Sequence, residues 1–402
     1  MRFNATRVSD DFVSRAVEQA TQLGWLVRDG ASLRCGFGEP VAVRHCDTLA
    51  AMPAASDIFR DFDIEDPSLL TAFASIPFDR NAAFEVVVPK FQISTDVNGD
   101  YWLVAPHGEA WDELTANPRP SLFPKQVSFL YSPSPDDYAA SVAEAVERLR
   151  AGDLQKVVLA RSCQGELSAE INTSAIATRL HHLEPSCTIY AMPTNDGRRF
   201  TGASPELLVS KFGTAVHCHP LAGTISIEGM IDSTAYTKWL HGSPKNRVEH
   251  RIVVDEIVTH LAEFCESVAS EPEPSIVPLR SVAHLGTDIL GIAKTDVTVL
   301  DLVTSLHPTP AVGGLPRELA EELIKELEPF RRGAYAGAVG WFNPLGDGAW
   351  WVAIRGILTR GPQFEVWAGA GIVSDSDPIA EREETKYKMD SVLHAIGLGT
   401  LN

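Results

Sequence analysis

Three apolar segments near the end of the chain follow one another with only a few residues between them, and this spacing restricts the possible folds most. They are "GAYAGAVGWF" (333–342), "WWVAIRGILTR" (350–360) and "FEVWAGAGIV" (364–373). Their aromatic and β-branched residues favour strands. Connections this short join antiparallel strands, because a parallel pair needs a crossover of a dozen or more residues. A second run of short strands, over 187–223, has the same character. The sequence therefore predicts antiparallel sheets.

Long helices are inserted among these strands. The spacing of apolar residues and the capping signals predict helices over 135–151, 243–269 and 317–330. A last helix begins at Pro378, because proline suits the first turn of a helix. Helices and strands do not alternate strictly, and no low-complexity linker divides the chain. We therefore expect an α+β fold in which residues 1–402 form a single domain.

The charge of the chain limits its partners. The 402 residues include 34 lysines and arginines against 53 aspartates and glutamates, which gives a formal net charge of −19. A field of this sign repels phosphate backbones and anionic lipids, so nucleic acid and membrane surfaces are poor candidates. A small anion would need local cations or a metal ion in its site. The six cysteines show no metal-binding spacing and predict free thiols, so we expect a cytoplasmic protein.

The stretch "AGAGIVSDSDPIAEREETKYK" (368–388) places glycines between a strand and a helix. Gly369 and Gly371 partly match a dinucleotide-binding loop, which occupies this position in a fold. The third glycine of that motif is missing, however. Asp375 and Asp377 precede the helix, and carboxylates there would repel a pyrophosphate. We therefore favour a tight turn, with an aspartate as the helix cap, over a nucleotide site.

Three charged residues of the last helix share one face, because i, i+3 and i+7 positions are neighbours at 3.6 residues per turn. They are Glu381, Glu384 and Lys388, and Glu249 belongs to the helix predicted over 243–269. If the two helices face each other across a cleft, their carboxylates could hold a hard cation such as Mg²⁺. A solvated acidic face explains the same residues, and the spacing alone does not separate the two interpretations.

Four further polar residues interrupt apolar or rigid segments. Lys156 opens the strand "KVVLARS", where it could lose its charge on burial and act as a base, or extend its amine to water. Glu206 precedes an apolar strand, and could be a surface residue or a carboxylic acid kept protonated by apolar neighbours. Arg355, if buried, needs an anionic partner, either a substrate carboxylate or a structural ion pair. His307 precedes a proline, and could contact a ligand or pack in the core.

Eight segments occur in the order found in one enzyme family. They are KVVLARS, FTGASPELLV, HPLAGT, KNRVEH, LHPTPAVGGLP, RGAYAGAVGW, WVAIR and AGAGIV…DP..E..ET..K. Together they resemble the chorismate-utilising enzymes, which comprise isochorismate, salicylate, anthranilate and aminodeoxychorismate synthases. The resemblance covers residues 125–395, and residues 1–124 resemble a diverged N-terminal part of the same fold. It implies two large, mostly antiparallel β-sheets packed face to face, with helices outside.

The resemblance also implies roles for individual residues. Glu249 and Glu384 match metal-binding glutamates and Glu381 a ligand through water, so Mg²⁺ is the implied cofactor. Lys156 matches the catalytic base and Glu206 the catalytic acid. The implied contacts of the substrate, chorismate, are Gly223, Thr224, His307, Ala311, Val312, Arg355, Gly369 and Lys388.

Two positions indicate which reaction is catalysed. Family members that add ammonia tend to carry glutamine where this chain has Lys156, and the aminodeoxychorismate type tends to have a lysine where this chain has Ala222. The chain is therefore most similar to members that add water. Among these, its HPTPA segment, with Ala311 and Val312, resembles that of isochorismate synthases, which are isomerases, whereas salicylate synthases share the lysine but lack a good match to HPTPA. Salicylate synthase is the alternative, and an anthranilate-type synthase is a more distant one. Water as the nucleophile implies no amidotransferase subunit, and we expect a monomer. The sequence does not separate siderophore from menaquinone biosynthesis.

Overall fold

The structure is a computed structural model and describes residues 1–111, 126–227 and 233–398. Its helices are α1 (Asp10–Leu23), α2 (Pro135–Ala151), α3 (Thr173–Leu183), α4 (Ser233–Gly242), α5 (Pro244–Phe264), α6 (Val299–Leu306), α7 (Arg317–Leu327) and α8 (Pro378–Ala395). Three short 3₁₀ segments follow the third strand: Leu49–Ala51, Pro53–Phe59 and Pro67–Leu69.

Its strands, in chain order, are β1 (Phe3–Arg7), β2 (Trp25–Asp29), β3 (Ser32–Cys46), β4 (Ala72–Ile76), β5 (Phe84–Thr95), β6 (Tyr101–Pro106), β7 (Gln126–Ser132), β8 (Lys156–Leu167), β9 (Thr188–Pro193), β10 (Arg199–Ser204), β11 (Leu207–Phe212), β12 (Ala215–His219), β13 (Leu221–Ser226), β14 (Cys265–Ser270), β15 (Ser275–Pro278), β16 (Val282–Gly286), β17 (Ile289–Ala293), β18 (Gly314–Leu315), β19 (Ala338–Phe342), β20 (Gly348–Val352), β21 (Gly356–Arg360) and β22 (Gln363–Ile372).

Most strands belong to one antiparallel hydrogen-bonded network, which divides into two large sheets that share β3 and β5. In the first sheet the strand order is β1-β6-β5-β3-β2-β9-β10-β21-β22-β8-β7. In the second it is β3-β5-β4-β19-β20-β11-β12-β17-β14. Strands β13, β16 and β15 form a separate small sheet. The predicted α+β fold with large antiparallel sheets is confirmed.

The long strands β3 and β5 connect the two sheets. Their ladder is irregular where Pro40 lies opposite Pro89, because proline has no N–H to donate and is tolerated at such bulges. Before this point β5 pairs with β4 through Val87, and after it with β6 through Gln92. The N-terminal part of the chain is therefore built into both sheets: β2 also pairs with β9, and β4 with β19.

The two sheets pack face to face on a common apolar core. Tyr190 and Phe200 of the first sheet and Phe73 and Trp350 of the second are fully buried in one cluster. Successive residues of a strand point to opposite faces, and Ile189, next to Tyr190, joins a second cluster that includes residues of α1, α3 and α8. Helices thus cover the outer face of the first sheet, as the resemblance implies.

The helix predicted over 243–269 is too long. Helix α5 ends at Phe264, and the next residue begins β14. Apolar spacing continues past this point without a glycine or proline, so the sequence pattern predicts a single helix. In the structure Val268 lies opposite Gly291 of β17. Pairing with β17 satisfies the backbone groups of β14 that a longer helix would have paired internally.

The cysteines are free thiols, as the sequence predicts. All six cysteines are free and buried. Burial raises the pKa of Cys35, Cys163 and Cys187 to about 12, so these thiols stay protonated at neutral pH. Within the described ranges, none of the helices combines the length and the apolar character that a membrane crossing needs.

Truncating the core at the junction of the two sheets should destabilise the whole protein. Phe73 is fully buried in β4, between β5 and β19. We expect Phe73→Ala to lower the free energy of unfolding by about 3–5 kcal/mol, measured by denaturant titration, because it removes apolar contacts and leaves a cavity. The control, Leu345→Ala, changes a side chain that is 56% exposed. An equal effect of the two substitutions would contradict this description of the core.

Candidate active site

A cavity is lined by residues of β8, β13, β16 and β22, of helices α5 and α8, and of the loops between them. The fold brings to it residues that are widely separated in the sequence. The predicted site residues among its lining are Glu206, Thr224, Glu249, Ala311, Val312, Arg355, Gly369 and Lys388.

Lys156 lies beside this cavity, where β8 begins, and is fully buried. Its Nζ is 3.3 Å from Oε1 of Glu249. Burial lowers the pKa of Lys156, although the negative charge of Glu249 acts in the opposite direction. Of the two interpretations left open by the sequence, the structure therefore excludes an amine extended into water. A lowered pKa favours the neutral form of the amine, and a neutral amine can accept a proton from a reacting group.

Gly371 of β22 makes the contact between Lys156 and Glu249 possible. A Cβ at position 371 would lie 2.0 Å from Oε1 of Glu249 and 3.0 Å from Cε of Lys156. The first distance is too short for any contact and the second is tight, so an added Cβ would force the Glu249 carboxylate to shift. The second glycine of the AGAG segment thus leaves room for the lysine and the glutamate, a purpose that the sequence does not reveal.

Glu206 lies between β10 and β11 and is almost completely buried. Burial raises its pKa to about 8. The backbone N–H of Leu221 and the charges of Lys156 and Lys388 act in the opposite direction but do not outweigh the loss of hydration. Glu206 is therefore a carboxylic acid that holds its proton at neutral pH, which is one of the two states considered for it.

Arg355 is buried in the cavity wall and has a positive φ of 54°. Its Nη2 is 3.0 Å from Nε2 of His284, whose Nδ1 is 3.0 Å from Oγ1 of Thr224. Since a guanidinium can only donate, Nε2 accepts and Nδ1 carries the ring proton. Burial and the charge of Arg355 lower the pKa of His284 well below its usual range, so the ring is neutral.

The guanidinium of Arg355 is open to an anionic ligand. Among the described residues, no carboxylate lies within 4 Å of it, although Glu184 is a more distant negative neighbour. The structural ion pair that was one alternative for Arg355 is therefore not formed. His284 was missed in the sequence, because a single histidine in the short apolar strand 282–286 carries no distinctive pattern.

Three glutamates of α5 and α8 lie close to two lysines. Lys245 Nζ is 2.7 Å from Oε1 of Glu381 and 3.6 Å from Oε2 of Glu249. Lys388 Nζ is 2.6 Å from Oε1 of Glu384. The bridging position of Lys245 was also missed; its only signal is the i,i+4 spacing to Glu249. The two helices therefore do face each other, as the cation hypothesis required.

The donors of this cluster suit a hard cation. Burial and the neighbouring charge of Glu384 raise the pKa of Glu381 to about 7, which shows that negative charge is crowded here. Mg²⁺ prefers carboxylate oxygen. In the described part of the chain, however, no three acidic, histidine or cysteine side chains are already arranged as metal ligands. Lys245 lies between Glu249 and Glu381, so binding of a cation requires this ammonium to move.

The remaining predicted residues take different places. Gly223 has a φ of 75°, and a Cβ there would lie 2.9 Å from the carbonyl oxygen of Asn246, so only glycine suits this turn. The carbonyl oxygen of Gly369 accepts a hydrogen bond of 2.9 Å from Lys388 Nζ.

His307 lies outside the cavity lining. Its Nε2 is 2.9 Å from the carbonyl oxygen of Pro77, so the structure favours the packing role over the implied substrate contact.

These groups define the class of the protein. A buried amine and a protonated carboxylic acid adjoin one cavity whose wall also contains the guanidinium of Arg355 and the ammonium of Lys388. This arrangement suits an enzyme that uses acid–base catalysis on a small anion. The chain belongs to the chorismate-binding enzymes: the sequence profile described as chorismate binding enzyme matches residues 82–397.

The proteins to which this chain is similar include isochorismate synthases. The vibriobactin-specific isochorismate synthase of Vibrio cholerae is 35% identical over 283 residues, which cover 70% of this chain and 72% of that protein. The isochorismate synthase DhbC of Bacillus subtilis is 36% identical over 274 residues, covering 66% and 69%. The structure of MenF, the menaquinone-specific isochorismate synthase of Escherichia coli, superimposes with a TM-score of 0.81 at 22% identity, covering 98% and 94%. This last similarity supports the fold alone.

Adding one methyl group beside the buried lysine should disable the site. Gly371→Ala places a Cβ 2.0 Å from Glu249 Oε1, so the carboxylate and the amine must move apart. We expect chorismate consumption to fall about 100-fold or more, since small misplacements of reacting groups have effects of this size. The control is Gly242→Ala, where a Cβ would meet nothing within 4 Å. Unchanged consumption by the Gly371 variant would refute the described packing.

Proposed function

We propose that this protein is an isochorismate synthase, an isomerase that converts chorismate to isochorismate. The observation that carries the proposal is the buried amine of Lys156, whose pKa is lowered by loss of hydration. A neutral lysine can activate water as the nucleophile. The chorismate-binding family and the isochorismate synthases among the relatives support the same substrate and product.

The reaction needs one base and one acid. Lys156 takes a proton from water while the water oxygen forms a bond to ring carbon C2. The double bonds of the ring shift, and the bond between C4 and its hydroxyl breaks. Glu206, which holds its proton because of burial, donates it so that the hydroxyl leaves as water. One water is consumed and one is released, so no oxidant or reductant is required. Each of the two groups contributes about 10²–10⁴ to the rate.

Chorismate is a dianion, and the cavity provides positive groups for it. Arg355 and Lys388 are the proposed partners of its carboxylates, and His284 holds the guanidinium through the 3.0 Å contact described above. Val312 and Ala311 provide an apolar part of the wall, and Thr224 a polar part. A net charge of −19 would repel the substrate, so these local cations decide whether it enters.

Mg²⁺ is the proposed cofactor. Glu249 and Glu384 would hold it directly and Glu381 through water, on the oxygen donors that this ion prefers. When bound, the ion would neutralise the ring carboxylate and make C2 more electrophilic. The ammonium of Lys245, which lies between Glu249 and Glu381, would then turn away from one of them.

Several properties predicted from the sequence stay predictions. We propose a single chorismate-binding domain over residues 1–402, with the motif-bearing part at 125–395, that works as a monomer in the cytoplasm without an amidotransferase subunit. Siderophore and menaquinone biosynthesis are both open as pathways.

Purified protein incubated with chorismate and Mg²⁺ should produce isochorismate, identified by chromatography.

Lys156→Gln should reduce the rate at least about 100-fold, because the amide cannot take a proton from water. Far-ultraviolet circular dichroism should show that this variant is folded. Salicylate as the main product would instead indicate a salicylate synthase, and an ammonia-dependent fluorescent product an anthranilate-type enzyme. Wild-type rates in the Lys156 variant would mean that the base is wrongly assigned.

The rate should depend on the ionisation of Glu206. Its carboxyl acts in the protonated form, and burial raises its pKa to about 8. We therefore expect kcat/KM to fall as the pH rises through about 8, since the free enzyme loses its acid there. In Glu206→Gln the rate should be low at every pH, and this alkaline decrease should be absent. An alkaline decrease that is the same in the variant would assign it to another group.

A further inference from the structure

A gap in the first sheet lies beside the proposed base. One edge of β8 pairs with β22 along its length. On the other edge, β18 pairs with residues 156–157 and β7 with residues from 162 onward. Among the described strands, none pairs with residues 158–161 on this edge. Backbone groups of β8 that point into this gap need other partners, because unpaired buried N–H and C=O groups are costly.

The ion pair of Glu328 and Arg332 fills this gap. Glu328 is the C-cap residue of α7. Both side chains are 2% exposed, and two guanidinium nitrogens of Arg332 contact the Glu328 carboxylate. Oε1 of Glu328 accepts a 2.8 Å hydrogen bond from the backbone N–H of Ala160. Nη2 of Arg332 donates to the carbonyl oxygen of Val158 at 2.7 Å. The pair thus replaces the missing strand partner of β8 at two successive groups.

The same guanidinium also holds the segment that carries Ala311 and Val312. Nη1 of Arg332 donates to the carbonyl oxygen of Val312 at 2.7 Å. The flat guanidinium of Arg332 stacks over the ring of Phe78, with Cζ 4.3 Å from the ring centroid. Val158 and Val312 both line the cavity, and Lys156 lies only two residues before Val158. One arginine therefore fixes two walls of the cavity relative to each other.

We infer that the Glu328–Arg332 pair is a positioning element of the proposed reaction: it holds the middle of β8 and the segment around Val312 in the arrangement that aligns Lys156 with the substrate. The inference rests on the proposed function. Neither side chain lines the cavity itself, so the pair acts through the groups that it holds. The planar fork of arginine suits this task, since it directs several donors at fixed angles, whereas a lysine ammonium cannot.

The test compares three variants with the wild type, which must first be shown to make isochorismate from chorismate. Arg332→Lys keeps the charge but loses the fork, and Glu328→Gln keeps an acceptor for Ala160 but loses the charge. We expect both to lower kcat about 10–100-fold while KM changes less than about threefold, because the base is misplaced but the binding groups remain.

Asp347→Asn is the matched control. Asp347 is largely buried and forms an ion pair of 3.0 Å with Lys211. It also accepts a hydrogen bond from the backbone N–H of Gly213 and lies outside the cavity lining. This variant should lower the melting temperature without changing kcat of the folded enzyme.

The outcomes separate the inference from the proposed function. Failure of the wild type to make isochorismate would refute the function itself. An active wild type, with Arg332→Lys and Glu328→Gln as active as Asp347→Asn, would refute the positioning role. A Glu328→Gln protein that does not fold would also overturn it, because the pair would then be a requirement of folding rather than of alignment.

Discussion

The contact between Lys156 and Glu249 depends on the missing side chain at Gly371, and the rest of the site is arranged around this contact. Strand β22 runs so close to the two side chains that an added Cβ would displace the Glu249 carboxylate. The amine is kept out of water by this packing, and loss of hydration lowers its pKa. The pKa of Glu206 shifts in the opposite direction for the same reason, because burial raises the pKa of an acid. One physical cause thus shifts both pKa values in the directions that the proposed base and acid require.

Electrostatic balance explains how such an acidic chain can hold an anion. Glu249, Glu381 and Glu384 each lie beside a lysine, and Lys245 bridges two of them. The proposed cation would compete with these ammonium groups, so its binding would be coupled to the release of Lys245. Arg355 is held differently: it faces the neutral ring of His284, which orients the guanidinium without neutralising it. Its charge therefore stays available to a ligand.

The scaffold keeps these groups in place through long-range connections. The shared strands β3 and β5 join two sheets, and the N-terminal strands β2 and β4 pair with strands from the later part of the chain. At residues 158–161, where none of the described strands pairs with one edge of β8, side chains take over that function: Glu328 and Arg332 satisfy the backbone of β8 and of the segment around Val312. The side chains that complete the sheet thus hold two segments that line the cavity.

The local elements and the residue types of the site follow from the sequence alone. Helix α2 was predicted over 135–151, since Ser134 can cap its start and Gly152 adopts the left-handed conformation that ends it. The antiparallel strands followed from their short connections. The end of α5 and the contact of His307 with Pro77 depend on the tertiary structure instead. The same is true of the partners of Lys156, His284 and Lys245. The physical reason is that helix caps and turns depend on neighbouring residues, whereas burial, pKa shifts and ion pairs arise between residues that only folding brings together.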